Sequence, residues 1–292
     1  MASPNIKLDT DRVIDQLHSD GVFVAEGYFG AATVDRLNEE FELLCSRQFE
    51  GVKESEKRKK TGRLFRISYE KIEKESFKNI REVFFSDMLR EISEQYMPKN
   101  SLINYDLIAA QNLGIIEEDR FIDALRNSHI DALRALKFMI YLMDTNEENG
   151  AFSYARGTHA INSRLRNKHL RFGGSLRALP AVLPVDAGVG FESINGSAGT
   201  LIIFDTDGVH RAGKLSEGTE RRILRSRCLF PNQPAQKPSK YSRRWFWEHR
   251  LNPMKIFAPK VPEGWVGLQE WHRIRGELTS GEATGPNAGA ST

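Results

Sequence analysis

The chain has 292 residues, of which 40% are hydrophobic and 10% aromatic, with a formal net charge of +3. That is enough apolar material for a sizeable core and too much for a disordered chain. The small positive balance suits an anionic small molecule and does not call for nucleic acid or a membrane surface. Two cysteines, Cys45 and Cys228, cannot build a disulfide framework or a CxxC zinc site. The opening MASPNIKLDTDRVIDQL lacks the apolar segment of a signal peptide, and no apolar run nears the ~18 residues of a membrane span. A soluble, cytoplasmic protein with reduced thiols is expected, and a monomer is the default.

In chain order, residues 10–20 read as a short helix with Val13, Ile14 and Leu17 on one face and Gly21 as its stop. VFVAE follows as a strand. AATVDRLNEEFELLCSRQF is an amphipathic helix, with Val34, Leu37, Phe41 and Leu44 on one stripe. GVKESEKRKKTGR is polar and basic and reads as a mobile loop. FKNIREVFFSDMLREISEQYM reads as one third helix. From residue 101 the period becomes strand-like: SLINYDLIAAQ, LKFMIYLM, GTLIIFD and RRILRSRCLF are short apolar runs bounded by turn residues. Helices early and strands late argue for an α+β, mainly β chain, a β-sandwich or small jelly-roll barrel buttressed by helices. Residues 231–276 hold all four tryptophans, Trp245, Trp247, Trp265 and Trp271, and read as an extension packed on the barrel. The polar tail 277–292 reads as disordered. The cationic stretches KRKK (57–60) and KPSKYSRRWFWEHR (237–250) are interrupted by or flanked with glutamates, so a solvated loop and a packed flap are preferred over nucleic-acid binding.

Two segments carry chemistry. SHIDALRALKFMIYL places His129 and Asp131 two apart at the entry of a strand, and in extended backbone such residues share a face. FDTDGVHRAG places His210 at the exit of another. Two imidazoles and one carboxylate make the facial triad of non-haem Fe(II) oxygenases, which leaves coordination positions open on one side. Arg221, eleven residues after His210, offers a planar fork that would suit the far carboxylate of a 2-oxoglutarate co-substrate. Taken singly, each of these residues has an ordinary structural explanation.

Together these segments make the chain similar to the phytanoyl-CoA dioxygenase family of Fe(II)/2-oxoglutarate oxygenases, over roughly residues 12–230. The resemblance rests on LHSDGVFVAEGYFGAATVDRLNEEF, HID, YLMDTNEENGAFSYARGTHA, GTLIIFDTDGVHRAG and Arg221. It implies a double-stranded β-helix, or jelly-roll, barrel in a domain spanning 1–230. It implies His129, Asp131 and His210 as iron ligands, Arg221 as the 2-oxoglutarate anchor, and an O2-dependent oxidation that releases succinate and CO2. Arg156 stands where the family usually has proline, read as a loop variation at the rim, and His159 is read as structural. A halogenating subset has a small residue in place of the aspartate, so Asp131 points to hydroxylation.

Strand parity extends the site. Phe138, Ile140 and Leu142 form an apolar set that should face the helices, leaving Lys137, Met139 and Tyr141 for the barrel interior. Lys137 and Gln111 are candidates to touch 2-oxoglutarate, Tyr141 to touch substrate, and Arg66 to reach in from an earlier segment. If Arg221 faces inward, so do Arg225 and Arg227. Buried arginines need an anionic partner, either a substrate carboxylate or phosphate or acidic residues of the barrel. Loops within 163–195 are expected to shape the pocket. Three classes stay open: the hydroxylase of a small metabolite, a zinc hydrolase on the same ligands, and a non-catalytic barrel that binds a small acid.

Overall fold

A computed structural model describes residues 4–46, 49, 52–55, 62–67, 77–99, 101–113, 128–131, 133–171 and 190–230. The KRKK run, the Trp-rich segment 231–276 and the tail 277–292 lie outside the described residues. So does 172–189, most of the expected pocket loops. Among the described residues, no helix is long and apolar enough to cross a membrane.

Helix α1 (Thr10–Asp20) starts where the Asp9 carboxylate accepts from the Asp11 and Arg12 amides. It ends at Gly21, whose φ of 78° ordinary residues avoid. A side chain there would also collide with the Tyr154 hydroxyl and the His159 ring. Strand β1 (Val22–Ala25) and helix α2 (Ala31–Ser46) follow. Where the segment 51–63 was expected to be a loop, its described ends supply β2 (Val52–Glu54) and the start of β3 (Gly62–Ile67), and residues 56–61 lie outside the described residues. Arg63 grips Glu54 at 2.6 Å, while Leu64, Phe65 and Ile67 are buried. The expected third helix is two, α3 (Lys78–Phe84) and α4 (Asp87–Tyr96). The chain breaks at Ser86, which is extended and whose hydroxyl caps α4 through the Leu89 amide. The buried Glu40 carboxylate of α2 accepts from the Asn79 and Ile80 amides, both at 2.8 Å, and so caps α3.

The remaining strands are β4 (Leu102–Leu113), β5 (Ala135–Tyr141), β6 (Phe152–Tyr154), β7 (Glu192–Ile194), β8 (Leu201–Asp205), β9 (His210–Ala212) and β10 (Glu220–Leu229). Helix α5 (Thr158–Arg171) precedes β7 and takes the first part of the expected loop region. The strands form a seven-stranded sheet, in the order β1-β8-β5-β10-β4-β3-β2, and a three-stranded sheet, β7-β6-β9. All described pairings are antiparallel. This is a helix-buttressed jelly roll whose two sheets do not close into one hydrogen-bonded cylinder.

Side-chain alternation divides the core in two. Phe138, Ile140, Leu142, Leu201, Ile203 and Leu224 pack against the helices. Met139, Tyr141, Ile202, Phe204 and Ile223 instead meet Phe152, Tyr154 and Ile194 of the small sheet. The second layer is the inside of the jelly roll. The register carries Lys137, Arg227 and Phe204 on one row, Met139, Arg225 and Ile202 on the next, and Tyr141 beside Ile223 beyond. Arg66 is opposite Ile108, on the row of Arg225.

Candidate metal centre

His129 and His210 form an isolated antiparallel bridge, each amide donating to the other's carbonyl at 2.9 Å. The Asp131 amide donates to the Thr206 carbonyl at 3.1 Å. Backbone hydrogen bonds thus lace the two ligand-bearing segments together before any side chain acts. The side chains then converge: Asp131 Oδ1 lies 3.8 Å from His129 Nε2 and 3.7 Å from His210 Nε2. The three donor atoms all lie within 4.8 Å of one another. Donors ~2.1 Å from a shared ion stand about 3 Å apart at right angles, so a small side-chain rotation closes the set.

The chemistry of the donors fits a divalent cation. His210 Nδ1 is 2.8 Å from the Gly208 carbonyl, which can only accept, so Nδ1 carries the proton and Nε2 offers its lone pair to the cluster. Burial, helped by His129, pushes the His210 pKa well below its ordinary value and keeps the ring neutral. Burial alone would raise the Asp131 pKa, but the adjacent Lys137 ammonium leads the interactions that reverse this and hold it far below the usual carboxylate range. A neutral His210 imidazole and an ionised Asp131 carboxylate are protonation states a metal requires. The His129 and Asp131 side chains remain 23% and 20% exposed.

Lys137 reaches the cluster, with Nζ 2.5 Å from Asp131 Oδ2. Burial lowers its pKa to about 8, with Arg225 and Arg227 adding to the lowering against Asp131. Arg227 pairs with Lys137 and Arg225 with Met139 across β5–β10, so the two half-buried guanidinium groups share the strand face of Lys137. Arg221 is buried on the same strand face and donates to the Gly150 carbonyl beside the small sheet. Two expected site residues have other neighbours. Gln111 shares the strand face of Leu107 and Ala109, away from the ligands, and donates to Glu220 at 2.8 Å. One more residue along the strand changes the face, which puts Ala110 inside instead. The Tyr141 hydroxyl is interior but donates to the Ile194 carbonyl and accepts from the Phe152 amide, each at 2.9 Å. It pins β5 to the small sheet, and burial pushes its pKa up to about 12. At the rim, Arg156 bonds Asp20 and Glu192. His159 Nε2 lies 3.2 Å from the His18 carbonyl, remote from the triad's hydrogen bonds.

A polar cluster missed in the sequence lies behind the ligands. Asp205 and Asp207, both fully buried, bind Arg134, with Nη2–Oδ2 2.6 Å for Asp205 and Nε–Oδ2 3.4 Å for Asp207. Tyr96 of α4 donates to Asp205 Oδ2 at 2.8 Å. The signal was available: two aspartates at the end of an apolar strand must be paired if buried.

Two imidazoles and one carboxylate gathered on the inner surface of a jelly roll are the donor set that non-haem-iron, 2-oxoglutarate-dependent oxygenases use. The chain belongs to the phytanoyl-CoA dioxygenase (PhyH) family, whose model matches residues 17–223. Among solved structures, the fold is similar to the epimerase SnoN from nogalamycin biosynthesis in complex with Fe3+, alpha ketoglutarate and nogalamycin RO. That match has a TM-score of 0.52 at 15% identity and covers 76% of this chain and 83% of that one. The carbocyclase SnoK of the same biosynthesis matches with a TM-score of 0.52 at 14% identity, over 82% and 91%. AviO1 from Streptomyces viridochromogenes Tue57 matches with a TM-score of 0.50 at 16% identity, over 79% and 99%. No curated protein sequence matches the chain.

Proposed function

We propose that this chain is an Fe(II)/2-oxoglutarate-dependent dioxygenase that hydroxylates a small, anionic metabolite or biosynthetic intermediate. It acts as a monomer in the cytoplasm, where Cys45 and Cys228, both free thiols, stay reduced. The observation that carries the reading is the convergence of Asp131 Oδ1 on the two Nε2 atoms. His129, Asp131 and His210 would hold the iron, and Arg221 would take the far carboxylate of 2-oxoglutarate. Bound iron and 2-oxoglutarate supply the oxidation with O2, releasing succinate and CO2. The chain's own part is to keep His210 neutral and Asp131 ionised, to keep one face of the cluster open, and to wall it with Phe152 and Phe204. No side chain is assigned as a general base.

An anionic substrate is the reading we give to Arg225 and Arg227, half-buried cations on the β10 face that also carries Lys137's neighbours and adds positive charge near it. Carboxylate- or phosphate-bearing compounds are therefore expected to stimulate succinate release. In Arg225→Ala the substrate KM should rise about tenfold or more, the size of one charge-assisted contact, with the 2-oxoglutarate KM little changed. Equal rises in both would count against this assignment.

A zinc hydrolase would use the same three ligands, but it needs no anchor for a 2-oxoglutarate carboxylate, the role we give Arg221. Anaerobic Fe(II) titration with 2-oxoglutarate separates the two. The oxygenase gives the visible charge-transfer band of the chelate and then succinate in air, whereas a hydrolase or a passive barrel gives no band.

A further inference from the structure

Lys137 and Asp131 are arranged atom by atom. Oδ1 of the carboxylate faces both imidazoles, and Oδ2 is taken by Lys137 Nζ at 2.5 Å. The lysine has little freedom to leave. Its side chain is 6% exposed, its backbone is fixed between Phe204 of β8 and Arg227 of β10, and Nζ lies 5.6 Å from the centre of the Phe204 ring. Arg225 and Arg227 repel its charge from the strand side, and Asp131 attracts it from the other. The ion pair therefore defines which carboxylate oxygen the cluster presents.

We infer that Lys137 is a positioning residue for Asp131, holding Oδ2 so that the carboxylate offers the metal a single oxygen. The inference rests on the reading of His129, Asp131 and His210 as a metal site. A carboxylate that chelates through both oxygens fills one more coordination position than one that binds through a single oxygen. A three-donor face leaves room for a bidentate co-substrate and one further ligand. A four-donor face does not, without losing one of them. Lys137 thereby reserves a position on the open side while touching neither ion nor co-substrate. This differs from the sequence expectation, in which the lysine would contact 2-oxoglutarate itself, and the two roles separate in the absence of 2-oxoglutarate.

The test uses the full chain loaded with Co(II), whose d–d absorption reports coordination number and geometry, before and after addition of 2-oxoglutarate. Lys137→Met removes the ammonium at nearly constant length, and Lys137→Arg restores a cation. The expected result is a changed Co(II) spectrum in the methionine variant with no co-substrate present, and a roughly 10- to 100-fold weaker 2-oxoglutarate affinity, the usual span for an outer-shell partner. The arginine variant should recover the wild-type spectrum. If Lys137→Met keeps the wild-type Co(II) spectrum and loses only 2-oxoglutarate affinity, the lysine is a co-substrate contact and the inference is overturned. An unchanged spectrum with unchanged affinity overturns it as well. A wild-type chain that binds no Co(II) or Fe(II) sinks the metal site, a separate failure seen before any variant is made. Should the methionine variant not fold by circular dichroism, Lys137→Gln is read in the same way.

Discussion

Asp131→Ala is expected to bring 2-oxoglutarate turnover to background and to weaken Fe(II) binding by more than about 100-fold. Outer-shell partners of a metal already cost 10–100-fold when removed, and Asp131 supplies a donor atom and the cluster's negative charge. The variant also strands Lys137, which is buried and pairs with Oδ2 at 2.5 Å. A buried cation that loses its partner destabilises the fold or gives up its proton. Asp131→Asn separates the two effects, because the amide keeps the shape and an oxygen acceptor without the charge. It should fold better than the alanine variant and still bind Fe(II) poorly. Anaerobic titration followed by the charge-transfer band measures the affinity, and succinate release measures turnover. Fe(II) affinity within threefold of wild type in both variants would falsify the assignment of Asp131 as a ligand.

The ligands were legible because their signal is local. His129 and Asp131 are two apart in extended chain, and His210 follows the apolar strand β8, so the spacing and the flanking apolar runs say nearly everything. The two-layer interior was legible for the same reason: Phe138, Ile140 and Leu142 alternate with Lys137, Met139 and Tyr141, and the two sets enter different cores. What failed depended on partners distant in sequence. The segment around Arg63 reads as a solvated loop until Glu54 and β4 are placed beside it. The break at Ser86 needs its cap, and an apolar stripe running through residues 77–97 hides it. Tyr141 was placed inside correctly, but its hydroxyl is spent on the backbone of β6 and β7, which parity cannot see. Gln111 shows the opposite error, since a polar residue at a strand end was assigned inward when alternation from Ile108 and Ala110 sends it outward. Lys137 was correctly recognised as interior, yet its contact with Asp131 depends on how residues 128–131 fold back over the start of β5.

Asp205→Asn is expected to be the most destabilising charge change behind the site. Asp205 is fully buried and accepts from Tyr96 at 2.8 Å, from Arg134 Nη2 at 2.6 Å and from the Asp207 amide at 2.9 Å. Removing one member of a buried pair costs about 3–5 kcal/mol, which for a domain of this size is roughly 6–20 °C in Tm. Asp207 also reaches Arg134, so the lower half of that range is expected. Burial alone would raise the Asp205 pKa, but the charge and hydrogen bonds of Arg134 reverse this and leave it lowered. A lowered carboxyl pKa stabilises the fold fully above the unfolded value of about 3.9 and loses that contribution as pH falls through the folded value. Wild-type Tm should accordingly drop more steeply on acidification than that of Asp205→Asn. Adding Arg134→Met to Asp205→Asn should cost less than the sum of the single changes, because the second removes the cation whose nearest carboxylate the first neutralised. The consequence extends to the metal centre. Arg134 follows Asp131 by three residues and Asp207 precedes His210 by three, so this ion pair ties together the two segments that carry the ligands. Fe(II) affinity measured well below the variant's Tm should fall with the single change and partly return in the double. If Tm moves by less than 2 °C and affinity not at all, the ion pairs of Asp205 and Asp207 with Arg134 contribute nothing to holding the ligands, and the backbone bridge between His129 and His210 does so by itself.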